Sequence, residues 1–151
     1  HGLPVATGIA LSLKSRKINK KTYVLISDGE LNEGTTWESI LFACHHKLNN
    51  LIIIIDYNKL QSLTFVKNTL NIEPLNKKFS SFGCKVFNIN GHNYKQIKKA
   101  LSFNSASKPI VIIANTIKGR GVSFMENNIE WHYKSPNLNQ LKTAIKEINN
   151  A

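Results

Sequence analysis

Acidic residues are scarce in this chain of 151 residues, where nine Asp and Glu stand against 20 Lys and Arg. Only two of the acids are aspartates, Asp28 and Asp56. The formal net charge is +11, a balance that proteins binding nucleic acids or anionic membranes often have. The lysines are scattered, however, and Arg16 and Arg120 are the only arginines. We therefore expect neither a nucleic acid nor a membrane as partner.

Cysteines and long apolar runs are also rare. Cys44 and Cys84 form neither a metal-ligand spacing nor a disulfide framework, a usage that fits a reducing, cytoplasmic compartment. The apolar run over residues 51–55 is far too short to span a bilayer, and no signal peptide is evident. Because the sequence starts with His1 and enters a helical pattern at once, we expect that a native amino-terminal segment is missing.

Apolar runs alternate with amphipathic stretches along the chain, which is 42% hydrophobic and is expected to form one domain over residues 1–151. Strands are predicted over 22–27, 51–57, 85–89 and 109–116, and helices over 2–13, 35–48, 73–82, 93–103 and 138–148. The first two strands are apolar without alternation, which predicts burial on both faces. This order predicts an α/β fold, a doubly wound and mostly parallel sheet with helices on both faces.

The predicted helices carry apolar residues at helical spacing. In the first helix these residues are Val5, Ile9 and Leu13; in the second they are Trp37, Ile40, Leu41, Cys44 and Leu48. Asn93 is expected to cap the helix that follows it.

Two polar residues end neighbouring strands of the predicted sheet: Asp28 follows the first strand, and Asn58 follows the second, thirty positions later. In a parallel sheet both ends lie at the edge where ligands bind. A carboxylate, an amide oxygen and a nearby backbone carbonyl are oxygen donors that hold Mg²⁺ against phosphates. Asp28-Gly29 alone is a common turn dipeptide. Here it follows a buried strand and precedes a helix, so its amides suit a diphosphate.

The stretch from Ser27-Asp28-Gly29 to Asn58 resembles the thiamine diphosphate motif of the transketolase family, where Gly-Asp-Gly is followed about thirty residues later by Asn. Other segments resemble the same family in the same order: residues 1–8, 37–51, 73–75, 90–93, 116–128, 131–132 and 135–136. The resemblance covers nearly all of the chain. It fits best the shorter proteins in which the amino-terminal third of transketolase is a separate subunit.

The resemblance implies a thiamine diphosphate-binding domain of the diphosphate-binding (PP) type, with thiamine diphosphate and Mg²⁺ as cofactors. By that resemblance, Asp28, Asn58 and the main-chain carbonyl of Leu60 bind Mg²⁺. Gly29 and Glu30 are assigned to the cofactor site in the same way.

The resemblance also implies two catalytic roles. Glu33 takes the place of an interface glutamate that supports, across a dimer, the acid that activates the aminopyrimidine. His132 lies near the diphosphate and the substrate oxygens. The implied reaction transfers a two-carbon ketol unit from a ketose phosphate to an aldose. Because the activating acid belongs to a pyrimidine-binding domain, the chain is expected to need a complementary subunit carrying that domain, in a dimer of heterodimers.

The sequence departs from the family at two positions. Ser27 replaces the first glycine of the motif and adds a hydroxymethyl group where the backbone approaches the cofactor. Tyr133 follows His132 where the family often has Gly, and its bulk bears on the substrate channel.

Among nearby residues, Asp56 is expected to brace the loop that holds Asn58. His92 is expected to satisfy backbone groups in its turn. Lys118 is either at the mouth of the site or solvated, and His45 and His46 receive no role.

Three other interpretations stay open. The chain could be the corresponding domain of another thiamine diphosphate enzyme, such as a 2-oxo acid decarboxylase or dehydrogenase, or a degenerate partner without catalytic function. From a different class, Asp28, Asp56, Thr116 and Lys118 all follow or end strands, as in a phosphoacceptor signalling domain. Such domains need an acidic pair after the first strand, and here Asp28 is followed by Gly29.

Overall fold

Four parallel strands form the sheet in a computed structural model that describes residues 1–150. They are β1 (Thr22–Ser27), β2 (Leu51–Tyr57), β3 (Lys85–Asn90) and β4 (Ile110–Asn115). Their order across the sheet is β1-β2-β4-β3, so β1 and β3 are the edges. The predicted α/β fold is confirmed, and the first two strands have the predicted bounds.

Helices connect the strands and cover the sheet: α1 (Gly2–Ser15), α2 (Gly34–His45), α3 (Val66–Thr69), α4 (Leu75–Phe82), α5 (Tyr94–Ser102) and α6 (Leu138–Asn149), with 3-10 turns at Gly29–Asn32 and Ile129–His132. Asn93 caps α5 as predicted, because its side chain accepts a hydrogen bond from the Gln96 N–H. The short α3 was not predicted, and the helix expected from residue 73 begins at Leu75, behind Pro74. No helix within residues 1–150 has the length and apolarity needed to cross a membrane.

The two central strands are buried on both faces, but β1 is not. In β1, Tyr23 and Leu25 are 51% and 69% exposed. Helices α1, α2 and α4 pack on one face of the sheet, and α5 packs on the other, against β3 and β4. The prediction that β1 is buried on both faces is therefore wrong, because α5 does not extend over this edge strand.

The larger core shows which helix faces contact the sheet. Helix α1 contacts it through Leu3, Ala6 and Ala10, while Val5 and Ile9 are exposed. The small alanines let the helix backbone approach the sheet closely, so the predicted face was wrong although the helix is correct. In α2, Leu41 is likewise exposed at 60%, whereas the rest of the predicted stripe is buried or half-buried: Trp37, Ile40, Cys44 and Leu48.

Candidate functional site

The carboxyl ends of β1 and β2 bring the two predicted ligand loops together. Ser27 lies opposite Asp56 in the parallel register, so Asp28 and Asn58 leave the sheet at the same edge. One Asp28 carboxylate oxygen accepts a 2.7 Å hydrogen bond from the backbone N–H of Lys59. Lys59 itself has a left-handed backbone with φ of 67°, which turns the second loop back over the first.

Asp28 is a buried carboxylate at this edge, only 2% exposed. Burial raises its pKa to about 6, and the neighbouring charge of Asp56 acts in the same direction. Hydrogen bonds from the Lys59 and Gly29 amides and the charge of Lys118 pull the pKa down, but they do not offset the burial. A bound cation would stabilise the ionised form of such a group.

The Asn58 amide is held in one orientation. Its Oδ1 accepts a 2.9 Å hydrogen bond from the Leu60 N–H, and its Nδ2 donates to Asp56 Oδ2 at 3.4 Å. The Thr116 hydroxyl donates to the other oxygen of Asp56. The prediction that Asp56 braces this loop is confirmed. The sequence analysis gave Thr116 no part in this brace, although its position directly after β4 places it at the same edge.

Ser27, which departs from the motif, pairs with Glu30. The Ser27 N–H donates to Glu30 Oε2 at 2.8 Å, and the Glu30 N–H donates to Ser27 Oγ at 3.3 Å. This reciprocal arrangement is a capping box around the 3-10 turn. It gives the serine hydroxyl a structural partner. Because the Glu30 carboxylate is directed to Ser27, a direct role of Glu30 at the cofactor stays a prediction.

Space and unsatisfied polar atoms lie beside Gly29. A Cβ added at Gly29 would meet nothing closer than Ser27 Oγ at 3.7 Å and the Gln61 side chain at 3.9 Å, so the fold does not demand a glycine there. Asn32 Oδ1 and Gln61 Nε2 are buried without a hydrogen-bond partner within the described residues. Orphaned buried polar atoms next to an open glycine fit a polar ligand at this edge. The sequence analysis assigned no role to Asn32 or Gln61.

The remaining predicted site residues lie at the periphery. His132 is exposed, and its Nε2 lies 3.4 Å from the Ser62 hydroxyl, two residues beyond Leu60. Glu33 is exposed at the N-cap of α2, where its side chain makes no capping hydrogen bond. Lys118 is close enough for its charge to lower the pKa of Asp28.

His92 has a structural role, as predicted. Its Nε2 accepts a 2.8 Å hydrogen bond from the Ile117 N–H, which ties the β3–α5 turn to the loop after β4.

The donor set decides which cation this edge suits. Within residues 1–150 no group of three or more His, Cys, Asp or Glu side chains converges as a metal site. A cation at the edge would rest on the Asp28 carboxylate and on neutral oxygens, those of the Asn58 amide and the Leu60 carbonyl. Such an oxygen set fits Mg²⁺, which keeps several waters and shares a ligand's phosphates, better than it fits zinc.

Comparison with known proteins bears on this site. Residues 13–147 match the family model described as "Transketolase, thiamine diphosphate binding domain". One of the two subunits named for apulose-4-phosphate transketolase in Actinobacillus succinogenes is 46% identical over 98% of this chain and 54% of its own length. The 6-deoxy-6-sulfo-D-fructose transketolase subunit SqwG of a Clostridium species is 36% identical, with the same two coverages. The chain thus spans about half the length of these curated relatives.

Solved structures show the same likeness. A crystal structure of transketolase from Campylobacter jejuni superposes with a TM-score of 0.92 at 32% identity. It matches 98% of this chain, which corresponds to 24% of the transketolase chain.

Proposed function

The chain belongs to the transketolase family, as its thiamine diphosphate-binding domain, and on that premise we propose that it holds the cofactor for a two-carbon ketol transfer from a ketose phosphate to an aldose. The single observation that carries the proposal is the joined pair of strand-end loops. The buried Asp28 carboxylate and the braced Asn58 amide lie at one sheet edge, linked through the Lys59 N–H.

The cofactor site would be built from these loops. Asp28, the Asn58 amide oxygen and the Leu60 carbonyl would hold Mg²⁺, and the metal would bind the cofactor's diphosphate. Gly29 would leave room for the diphosphate, and the free Gln61 Nε2 would donate to it. When bound, thiamine diphosphate supplies a carbon nucleophile that stabilises the charge left by carbon–carbon cleavage.

His132 would act at the substrate side of the site. It reaches the loop beyond Leu60 through its contact with Ser62. From there its ring would donate a hydrogen bond to the diphosphate or to a substrate oxygen. Tyr133, which is 76% exposed beside it with ring centroids 4.8 Å apart, would border the substrate channel.

A second subunit would complete the site. The names of both relatives describe subunits of transketolases, which supports a complementary partner that carries the pyrimidine-binding domain. We expect Glu33 to meet that assembly across a dimer of heterodimers, since its carboxylate is exposed and makes no capping contact. Helices α1 and α2 also expose large apolar side chains, Val5 at 62% and Leu41 at 60% among them, which suits burial in an interface.

The names of the relatives also bear on the substrate. Apulose-4-phosphate and 6-deoxy-6-sulfo-D-fructose are both ketoses with an anionic group. We accordingly propose a ketose carrying a terminal phosphate as donor, with the sulfonate analogue as the comparison.

A transfer assay tests the function. The chain, assembled with a complementary pyrimidine-binding subunit, thiamine diphosphate and Mg²⁺, would be given a ketose phosphate and an aldose acceptor. We expect an aldose product shorter than the donor by two carbons, together with an acceptor extended by two. Loss of the activity in Asn58→Ala, with retention in Asn76→Ala on the exposed face of α4, would support the assignment. An assembled complex that binds the cofactor but moves no two-carbon unit would contradict it.

A further inference from the structure

The two cysteines of the chain meet in the fold although they are forty residues apart. Cys44 Sγ lies 3.4 Å from Cys84 Sγ, and both thiols are reduced. Cys44 is in the last turn of α2, and Cys84 directly precedes β3. The spacing of the two residues in the sequence gave no sign of this contact.

The end of α4 holds Cys84 in place. Gly83 takes a left-handed backbone with φ of 104°, and the Cys84 N–H donates to the Phe79 carbonyl at 3.1 Å, which closes the helix. A Cβ at Gly83 would lie 3.8 Å from Cys44 Cβ. The helix ending therefore presents Cys84 to Cys44 from a fixed backbone.

The two thiols differ in access and in charge. Cys84 is 5% exposed, whereas Cys44 is half-buried and lines a surface cleft of about 420 Å³ with Lys108, His45 and Lys47. The hydrogen bond with Cys84 and the charge of Lys108 hold the pKa of the Cys44 thiol below its ordinary value, while the same hydrogen bond and burial raise that of Cys84. Cys44 is thus the thiol that ionises first and meets solutes.

From this geometry we propose that Cys44 and Cys84 form an oxidation site, at which Cys44 reacts with a hydroperoxide and Cys84 resolves the product into a reversible intramolecular disulfide. This site is separate from the cofactor site at the carboxyl edge of the sheet.

The reaction runs in two balanced steps with hydrogen peroxide as oxidant. The Cys44 thiolate attacks one peroxide oxygen, the O–O bond breaks, and the leaving hydroxide takes a proton to become water, leaving Cys44 as a sulfenic acid. Cys84 Sγ then attacks Cys44 Sγ. The S–S bond forms, the S–O bond breaks, and a second water leaves with the Cys84 proton. Two thiols and one peroxide become one disulfide and two waters.

Mass spectrometry of the intact chain tests the proposal. After treatment with equimolar hydrogen peroxide, we expect the mass to fall by two hydrogens, both thiols to stop reacting with Ellman's reagent, and dithiothreitol to restore them. Peptide mapping should join the peptides of Cys44 and Cys84. In the native reduced chain, iodoacetamide should label Cys44 at least about tenfold faster than Cys84, because the thiolate must be accessible.

Two variants separate this chemistry from unspecific oxidation. Cys84→Ser should stop at a Cys44 sulfenic acid that dimedone traps, and Cys44→Ser should leave Cys84 reduced at the same peroxide dose. Thermal melting followed by circular dichroism shows whether each variant is folded, and the wild-type result stands without them. A disulfide between two chains, a Cys44 sulfinic acid with Cys84 still free, or two unreacted thiols under conditions that oxidise free cysteine would overturn the proposal.

Discussion

The Asp28 carboxylate is bonded to the Lys59 amide at 2.7 Å, and this single contact joins the loop after β1 to the loop after β2. The two residues are thirty-one positions apart in sequence. The acid is buried, and its nearest charged neighbours include the second acid of the edge, Asp56. A buried acid next to another acid is unfavourable for folding by itself, so its presence here supports a role at the cofactor site.

The first prediction concerns stability against pH. The pKa of Asp28 is about 6 in the folded chain against 3.8 ordinarily, so between these values the folded state binds more protons than the unfolded state. The free energy of unfolding of the metal-free chain should therefore fall as pH rises from about 4 to 6, by at most about 3 kcal/mol from this group. Above pH 6 this contribution levels off.

The Asp28→Asn variant removes that titration. It should be more stable than the wild type at pH 7.5 and about equal to it at pH 4, because the amide oxygen can still accept from Lys59. Urea unfolding at both pH values measures the difference. An Asp28→Asn chain that is less stable than the wild type at pH 7.5 would show that the ionised carboxylate is favourable in the fold.

The second prediction separates the ligand's space from the fold's. At Gly29 an added methyl group meets only ordinary contacts, from 3.7 Å outward, and it would occupy the space proposed for the diphosphate. Gly29→Ala should keep its melting temperature and lose at least about tenfold in cofactor affinity. Calorimetry and thermal melting give the two readouts.

Gly91 provides the matched control for that substitution. A Cβ there would collide with the Thr116 side chain and lie 3.1 Å from the Asn115 carbonyl. Gly91→Ala should therefore lower the melting temperature. If Gly29→Ala bound the cofactor as well as the wild type, the diphosphate could not lie over that glycine.

The third prediction concerns the brace behind Asn58. Thr116 donates to Asp56, which in turn accepts from the Asn58 amide. Thr116→Val removes the hydroxyl and should weaken Mg²⁺-dependent cofactor binding about tenfold, as loss of an outer ligand contact does in metal sites. Thr143→Val, whose hydroxyl bonds only within exposed α6, is the control. Equal affinities in the two variants would remove Asp56 and Thr116 from the site.

The fourth prediction concerns the oxidised chain. A bond between Cys44 and Cys84 closes a loop of about forty residues, and loop closure of that length stabilises a folded chain by roughly 4 kcal/mol. The oxidised form should therefore melt at a higher temperature than the reduced form. A scan with and without dithiothreitol checks this, with Cys44→Ser showing no difference between the two conditions. An oxidised chain that melts at the same or a lower temperature would mean that forming the bond strains the fold.

The sequence predicts the strands and the site edge well for a physical reason. The Ile- and Val-rich runs of β2 and β4 can be buried only in the middle of a parallel sheet, and the strand order then places Asp28 and Asn58 side by side. Helix faces were predicted less well. In α1 the contact face is made of Ala6 and Ala10, whose small side chains contribute little to hydrophobic periodicity.

Contacts between distant parts of the chain could not be predicted from one sequence. The meeting of Cys44 with Cys84 depends on how α2 and the end of α4 pack, and the bond from Thr116 to Asp56 depends on β4 lying next to β2. The exposed side of β1 follows from the reach of α5 alone. Each is a property of tertiary packing rather than of local pattern.

Calorimetric titration of thiamine diphosphate, with and without Mg²⁺, tests the central claim most directly. Wild type, Asp28→Asn, Asn58→Ala and Asn76→Ala would be compared, each assembled with the complementary pyrimidine-binding subunit. The account predicts Mg²⁺-dependent binding in the wild type and in Asn76→Ala, and affinity at least about tenfold weaker in the other two variants. Binding that needs no metal, or that is equal in all four proteins, would contradict it.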